Sequence, residues 1–264
     1  MKQRTTESKD HQLLHLVFGA LLLALSSSAA AQQPQKVARI GLLSPYSSAV
    51  ASRNREAFLK SLHELGYEGN SVMVLGRYAD GNSARLSILA SELVSLKPDV
   101  IMTSTVPAIQ AAMQATSTIP IVTVSADPVG AGLVASLARP GGNVTGLSLL
   151  SPELDGKRLE VLSETFPKSK RVAFIWNPAD AGMALRFKAV QSAGQALHLM
   201  IQSLEVKKLN DLDSALESAT VGKVDAMIVP SAIANAYRRH ILDFTLNKRL
   251  PAIYENKESI EAGG

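Results

Sequence analysis

One series of strand and helix signals runs along this chain twice. The run from Ala38 to Pro45 (ARIGLLSP) has a counterpart from Arg171 to Pro178 (RVAFIWNP), each an apolar strand closing on a small polar residue and a proline. Lys97 to Thr105 (KPDVIMTST) is matched by Lys223 to Ser231 (KVDAMIVPS), and Ile119 to Thr123 (IPIVT) by Leu250 to Tyr254 (LPAIY). The three pairs occur in the same order, each separated by about 130 residues, which is the mark of a duplicated unit. Between the landmarks of the first half lie helical patterns. Arg53 to Leu65 carries Phe58, Leu62 and Leu65 on one face and stops at Gly66, and Arg85 to Leu96 repeats leucine at Leu86, Leu89, Leu93 and Leu96. A helix over Pro107 to Ala115 and a strand over Ser71 to Gly76 complete the first half. Strands this apolar, alternating with helices, require a parallel sheet covered on both faces. The expected fold is therefore α/β, with two similar doubly wound parallel-sheet lobes, a hinge, and a ligand cleft between the lobes.

The amino end lies outside that pattern. Lys2 and Arg4 precede the apolar run Leu13 to Leu25, and Ser26 to Ala31 supplies small residues ending in an A-x-A site. This is the pattern of a cleaved signal peptide over 1–31, and the apolar core is shorter than the roughly 20 residues a membrane span needs. The mature protein is thus expected in the periplasm. Among 264 residues there is no cysteine, which removes disulfides, thiolate metal sites, cysteine nucleophiles and lipoprotein acylation together. The formal charge of +4 is spread as mixed signs along helices, a solvated pattern that argues against a nucleic-acid partner.

The two halves meet at Asp127 to Gly146 (DPVGAGLVASLARPGGNVTG). Ile119 to Val124 reads as the strand before it. Asp127 is placed to cap a short helix through Leu137, and Val144 to Leu149 reads as a strand leaving the first half. This run resembles the substrate-binding proteins of ABC importers with a periplasmic-binding-protein type I architecture, whose members carry nearly the same run; the likeness extends over Val37 to Gly264. The resemblance implies a small-molecule solute, a membrane permease as partner, and no chemistry on the ligand. Amino acids, aromatic ones among them, are within the family's range. It also implies a return to the first lobe after 256, so that the chain reads as truncated at its carboxyl end. The expected division is a leader over 1–31, a first lobe over 32–148, a second over 149–255, and the start of the return over 256–264. A monomer is expected.

Ligands of doubly wound sheets sit beyond the carboxyl ends of the strands. That rule selects Ser44, Tyr46, Tyr78, Ser104, Thr105 and Asp127 in the first half, and Asn177, Ser231 and Tyr254 in the second. Hydroxyls and helix N-termini suit a carboxylate, Asp127 suits an ammonium, and the tyrosines suit a planar group. Each has a plainer reading: Asp127, Ser104 and Thr105 as helix caps, Tyr78 as a surface packing residue. Trp176 alternates with Val172 and Phe174 and is read as core.

No catalytic constellation can be assembled. None of the five histidines falls at a strand's carboxyl end, and there is no H-E-x-x-H, no G-x-S-x-G elbow and no phosphate loop. No metal and no cofactor are expected. A secreted α/β enzyme and the sensing domain of a receptor or regulator are the alternatives. The second would require a helix-turn-helix where this chain has a leader, or a membrane helix after the lobes.

Overall fold

The computed structural model describes residues 37–67 and 71–264; the leader read from the sequence lies outside them. Two parallel sheets organise the unit from Ala38 to Gly264. The first is built from β1 (Ala38–Ser44), β2 (Val72–Tyr78), β3 (Val100–Ser104), β4 (Ile121–Ser125) and β5 (Val144–Ser148), in the order β2-β1-β3-β4-β5. The second holds β6 (Arg171–Trp176), β7 (Met200–Glu205), β8 (Ala226–Val229) and β9 (Ala252–Tyr254), in the order β7-β6-β8-β9. Helices α1 (Ser48–Glu64), α2 (Leu86–Ser95) and α3 (Val106–Ala115) belong to the first half. Helices α4 (Ser151–Thr165), α5 (Ala181–Ala196), α6 (Leu212–Val221), α7 (Ser231–Lys248) and α8 (Lys257–Glu261) belong to the second. The strand order repeats, as two copies of one unit require, with β5 added to the edge of the first sheet.

The repeat extends to single atoms. In the first half the Arg39 amide donates to the Asp99 carboxylate at 2.8 Å, and the Arg39 guanidinium donates to the carbonyl of Leu96 at 2.6 Å. In the second, the Arg171 amide donates to Asp225 at 2.9 Å and its guanidinium to the carbonyl of Gly222 at 2.7 Å. Lys97 and Lys223, the residues that follow those carbonyls, share a left-handed φ of 50°. The Lys-x-Asp landmark of the sequence is thus a helix-to-strand corner, with the aspartate binding the first amides of the neighbouring strand.

Each sheet has its own apolar core. Leu43, Leu93, Ile101, Ile109 and Ile121 are central to the first, and Leu159, Val172, Phe174, Ile175 and Ile228 to the second. Trp176 is packed in the second core, stacked on Phe187 at 4.6 Å with its indole N–H donating to Ser203 at 2.8 Å. On the opposite face of the first sheet, Val122 and Val124 remain 37% and 43% exposed. Helix α1 begins five residues before the expected Arg53, because the Ser47 hydroxyl accepts from the Val50 amide.

The helix expected over Asp127 to Leu137 does not form. Asp127 does accept from an amide, that of Gly130 at 2.8 Å, but the chain continues as successive turns in which Gly132 has a φ of +68°. Glycine at 130 and 132 favours these turns over a helix. Further along the same run, Asn143 donates to the carbonyls of Thr116 and Ile119 at 3.0 and 2.9 Å, fastening the entry to β4. Gly146 lets β5 approach β4, since a Cβ there would collide with the carbonyl of Thr123. The run is accordingly a scaffold that sets β5 and the crossing into α4.

Replacing Asp225 with alanine removes the acceptor of two strand amides, those of Lys170 and Arg171. A loss of about 2 kcal/mol is expected from hydrogen bonds to a charged group. Urea unfolding followed by Trp176 fluorescence measures it, and a loss below about 0.5 kcal/mol would show that the corner carries no weight.

Candidate functional site

The carboxyl ends of both sheets open onto one cleft between the halves. Strand–helix corners supply its walls: β1 leads through Ser44 and Tyr46 into α1, and β3 through Ser104 and Thr105 into α3. From the other side, β6 leads through Asn177 and Asp180 into α5, and β8 through Pro230 into Ser231 of α7. Three connected parts make up the cleft. An inner cavity of about 390 Å³ is bordered by Ser44, Tyr46, Ser104, Thr105, Asp180 and Ser231, and runs on over the exposed sheet face at Val122 and Val124. A waist of about 60 Å³ is enclosed by Tyr46, Thr105, Asn177, Asp180, Ala232 and Tyr237. An outer cavity of about 620 Å³ reaches Asn82, Asn177, Lys208, Tyr237 and His240.

Of the nine residues selected from the sequence, six therefore meet here: Ser44, Tyr46, Ser104, Thr105, Asn177 and Ser231. The other three lie elsewhere. Tyr78 folds its ring over Gly76 in its own strand. Asp127 is engaged with Gly130, and the Tyr254 hydroxyl pairs with Thr245 at 2.9 Å beside a separate groove. Burial raises the Tyr254 pKa.

The halves touch across the cleft. A Cβ on Gly182, in the first turn of α5, would lie 2.9 Å from the Val106 side chain at the start of α3. Tyr46 of the first half and Asn235 of the second border the same inner cavity. Asn235 uses its oxygen to accept from Arg238 and Asn256. Burial raises the Tyr46 pKa, the Asp180 charge raises it further, and the Asn235 side chain opposes both. The phenol is therefore neutral and can donate.

The helix N-termini around the cleft differ in what fills them. Ser47 caps α1, and Asp180 caps α5 by accepting from the Gly182 amide at 2.9 Å and the Met183 amide at 3.4 Å. Glu255 takes the Ser231 amide of α7 at 2.8 Å. Helix α3 has no side-chain cap. Its Ncap residue, Thr105, has φ 68° and ψ 146°, a conformation that strains a β-branched residue by about 1–3 kcal/mol. In the same cavity lining, the Thr123 hydroxyl is buried without a partner. The positive end of α3 and these hydroxyls suit an anion.

Opposite stands Asp180, only 7% exposed. Burial pushes its carboxyl up, against the Met183 and Gly182 amides and Arg186, which pull it down. Arg186 is itself committed elsewhere. Its guanidinium holds both oxygens of Asp155 at 2.7 Å and pairs with Glu255, while Arg158 reaches Asp155 at 2.8 Å and Glu255 at 3.2 Å. Burial alone would raise the Glu255 pKa; Arg186, the Ser231 amide and Arg158 outweigh it and hold the carboxyl below its usual range. Two arginines and two carboxylates thus close a neutral set, and Asp180 remains the buried carboxylate that faces the waist. The rule of strand ends reaches Asp180, three residues past Asn177, as readily as Asn177 itself. Asn235 and Tyr237 lie inside a helix, where that rule says nothing. Among the described residues no group of three or more His, Cys, Asp or Glu could hold a metal, and no helix is long and apolar enough to cross a membrane.

The Asp180 pKa in the fold lies above its unfolded value, so the protonated form favours folding and that contribution is lost as pH rises through the raised pKa. Asp180→Asn keeps the cap acceptor and removes the charge. The variant is expected to be more stable than the parent at pH 7, with the gap narrowing toward pH 4. Urea midpoints at both pH values test this, and a variant less stable at pH 7 would contradict it.

Residues 39–264 match the sequence model of a family described as "ABC transporter substrate binding protein". A tyrosine-binding protein of Clostridioides difficile (strain R20291) is 30% identical over 213 residues, which is 79% of this chain. Those residues span 61% of that relative's length. Among solved structures, a conserved domain protein from Vibrio cholerae O1 biovar El Tor superposes with a TM-score of 0.79 at 27% identity, covering 87% of this chain and 77% of the other. An ABC domain from Streptococcus pneumoniae, in complex with L-Trp, gives 0.77 at 23% identity, covering 86% and 77%. These likenesses agree with the type I periplasmic-binding-protein fold expected from the sequence.

Proposed function

Because the chain belongs to the family of ABC transporter substrate-binding proteins, we propose that it is the periplasmic solute-binding component of an importer and that its solute is an amino acid with an aromatic side chain. The observation that carries the choice of ligand is the pairing of unlike ends in one narrow space. The uncapped N-terminus of α3, with Thr105 and Ser104, receives the α-carboxylate. Asp180, across the waist, receives the α-ammonium in the place that the sequence alone suggested for Asp127. Tyr46 borders all three parts of the cleft and lies against the side chain. Ser44, Asn177 and Ser231 complete the polar lining. The tyrosine-binding relative supports the aromatic class.

The ligand touches both halves, so its binding free energy favours the closed arrangement over the open one. The closed monomer then delivers its solute to the permease. No bond of the ligand is made or broken, in keeping with a family of solute binders. Export would follow from the signal peptide read over 1–31.

Thermal shift and isothermal titration with L-tyrosine, tyramine and 3-(4-hydroxyphenyl)propionate separate the two ends. L-Tyrosine at a hundredfold excess over Kd is expected to stabilise the protein by about 2.7 kcal/mol. Tyramine lacks the carboxylate and the propionate lacks the ammonium, so each is expected to bind at least tenfold more weakly. Equal binding of all three, or a shift with sugars and none with amino acids, would overturn the assignment.

A further inference from the structure

Helix α7 is interrupted at one residue. Tyr237 has φ −135° and ψ 27° inside the otherwise helical segment Ser231–Lys248, which contains neither glycine nor proline. The residues that α7 presents to the cleft before the break are Ser231, Ala232, Ile233, Asn235 and Ala236, and the one after it is His240. Tyr237, at the break itself, stands four residues after Ile233 and three before His240, on the same side of the helix. It borders both the waist and the outer cavity.

Tyr46 borders the same two spaces from the opposite half. The two rings are not packed on each other: the ring–ring contacts among the described residues are Phe174 with Phe187 and Trp176 with Phe187. Beside Tyr237, Ala232 and Ala236 are the smallest side chains that can line a wall, and they leave its width to the ligand. Asp211 lies near enough to raise the Tyr237 pKa, after burial, the larger cause. Asp211 also accepts from the amides of Lys207 and Lys208, both on the outer rim. Tyr237 is thereby placed between a small-residue floor and the rim, opposite a second tyrosine.

We propose that Tyr237, which borders the waist and the outer cavity at the break in α7, is a specificity-determining residue that forms with Tyr46 a slot for a planar side chain. The inference rests on the amino-acid reading above and adds to it which residue separates aromatic from aliphatic side chains. A flat ring meets an aromatic wall over its whole face, whereas a branched aliphatic group gains little from the same wall. Tyr46 borders all three parts of the cleft, so its removal would weaken every ligand. Removal of the Tyr237 ring would weaken aromatic ligands selectively.

The test is isothermal titration of the whole protein, as parent, Tyr237→Ala and Tyr237→Phe, with L-tyrosine, L-tryptophan, L-phenylalanine and L-leucine. Melting curves of each variant confirm that it is folded. For Tyr237→Ala, affinity for the aromatic amino acids is expected to fall about tenfold or more while that for leucine stays within about twofold. Tyr237→Phe is expected to keep the parent's selectivity. An equal loss for all four ligands, or no loss, overturns the role of Tyr237 and leaves the amino-acid reading standing. A parent protein that binds none of the four overturns both.

Discussion

A buried set of four charges holds the second half of the cleft in place. Asp155 comes from α4, directly after the chain crosses from the first sheet, and Arg186 comes from α5, two turns beyond Asp180. Glu255 follows β9 and also binds the first amide of α7. Arg158 closes the set from the rim. Three helices and a strand end thus share one network, and each of the three helices presents a different part of the cleft wall. Removing one partner from such a set typically costs about 3–5 kcal/mol, because the charge left behind stays buried. The network also decides which electrostatic features the ligand meets. Glu255 fills the N-terminus of α7 and Arg186 is spent on two carboxylates, so neither is available to an incoming anion.

What is left unfilled defines the chemistry. On one side is the start of α3, where Thr105 is held in a strained conformation and no side chain caps the helix. On the other is Asp180, whose amide hydrogen bonds do not wholly offset the effect of burial. A zwitterion would satisfy both ends at once, since no side chain caps α3 and Arg186, the cation that acts on Asp180 from its own half, is committed to Asp155 and Glu255. The close approach of Gly182 to Val106 brings the two ends to this separation. In the function proposed, capture and closure are the same event: the ligand's charges join what the sequence supplies as two separate α/β units.

The fold could be read from the sequence because its determinants are local. Strand runs, helix stops and the repeated Lys-x-Asp corner act within a few residues, and a duplication fixes the strand order of the second sheet from the first. The strand-end rule brought Ser44, Tyr46, Ser104, Thr105, Asn177 and Ser231 to one cleft. It also selected Tyr78, Asp127 and Tyr254, whose side chains turn to neighbours within their own half, because the rule locates a backbone corner and not the direction of a side chain. The helix expected after Asp127 gave way to turns at Gly130 and Gly132, where local propensity and the apolar spacing point in opposite directions. The break at Tyr237 has no signal in the sequence at all, since no glycine or proline marks it.

The central claim is that one ligand is held by both halves. Amide hydrogen exchange of the whole protein, with and without L-tyrosine, tests it most directly. Slower exchange is expected together at the Val106 and Ala108 amides, where α3 begins, and at Asp180–Met183, where α5 begins. Protection confined to one of these two segments, with the other unchanged at saturating ligand, would contradict it.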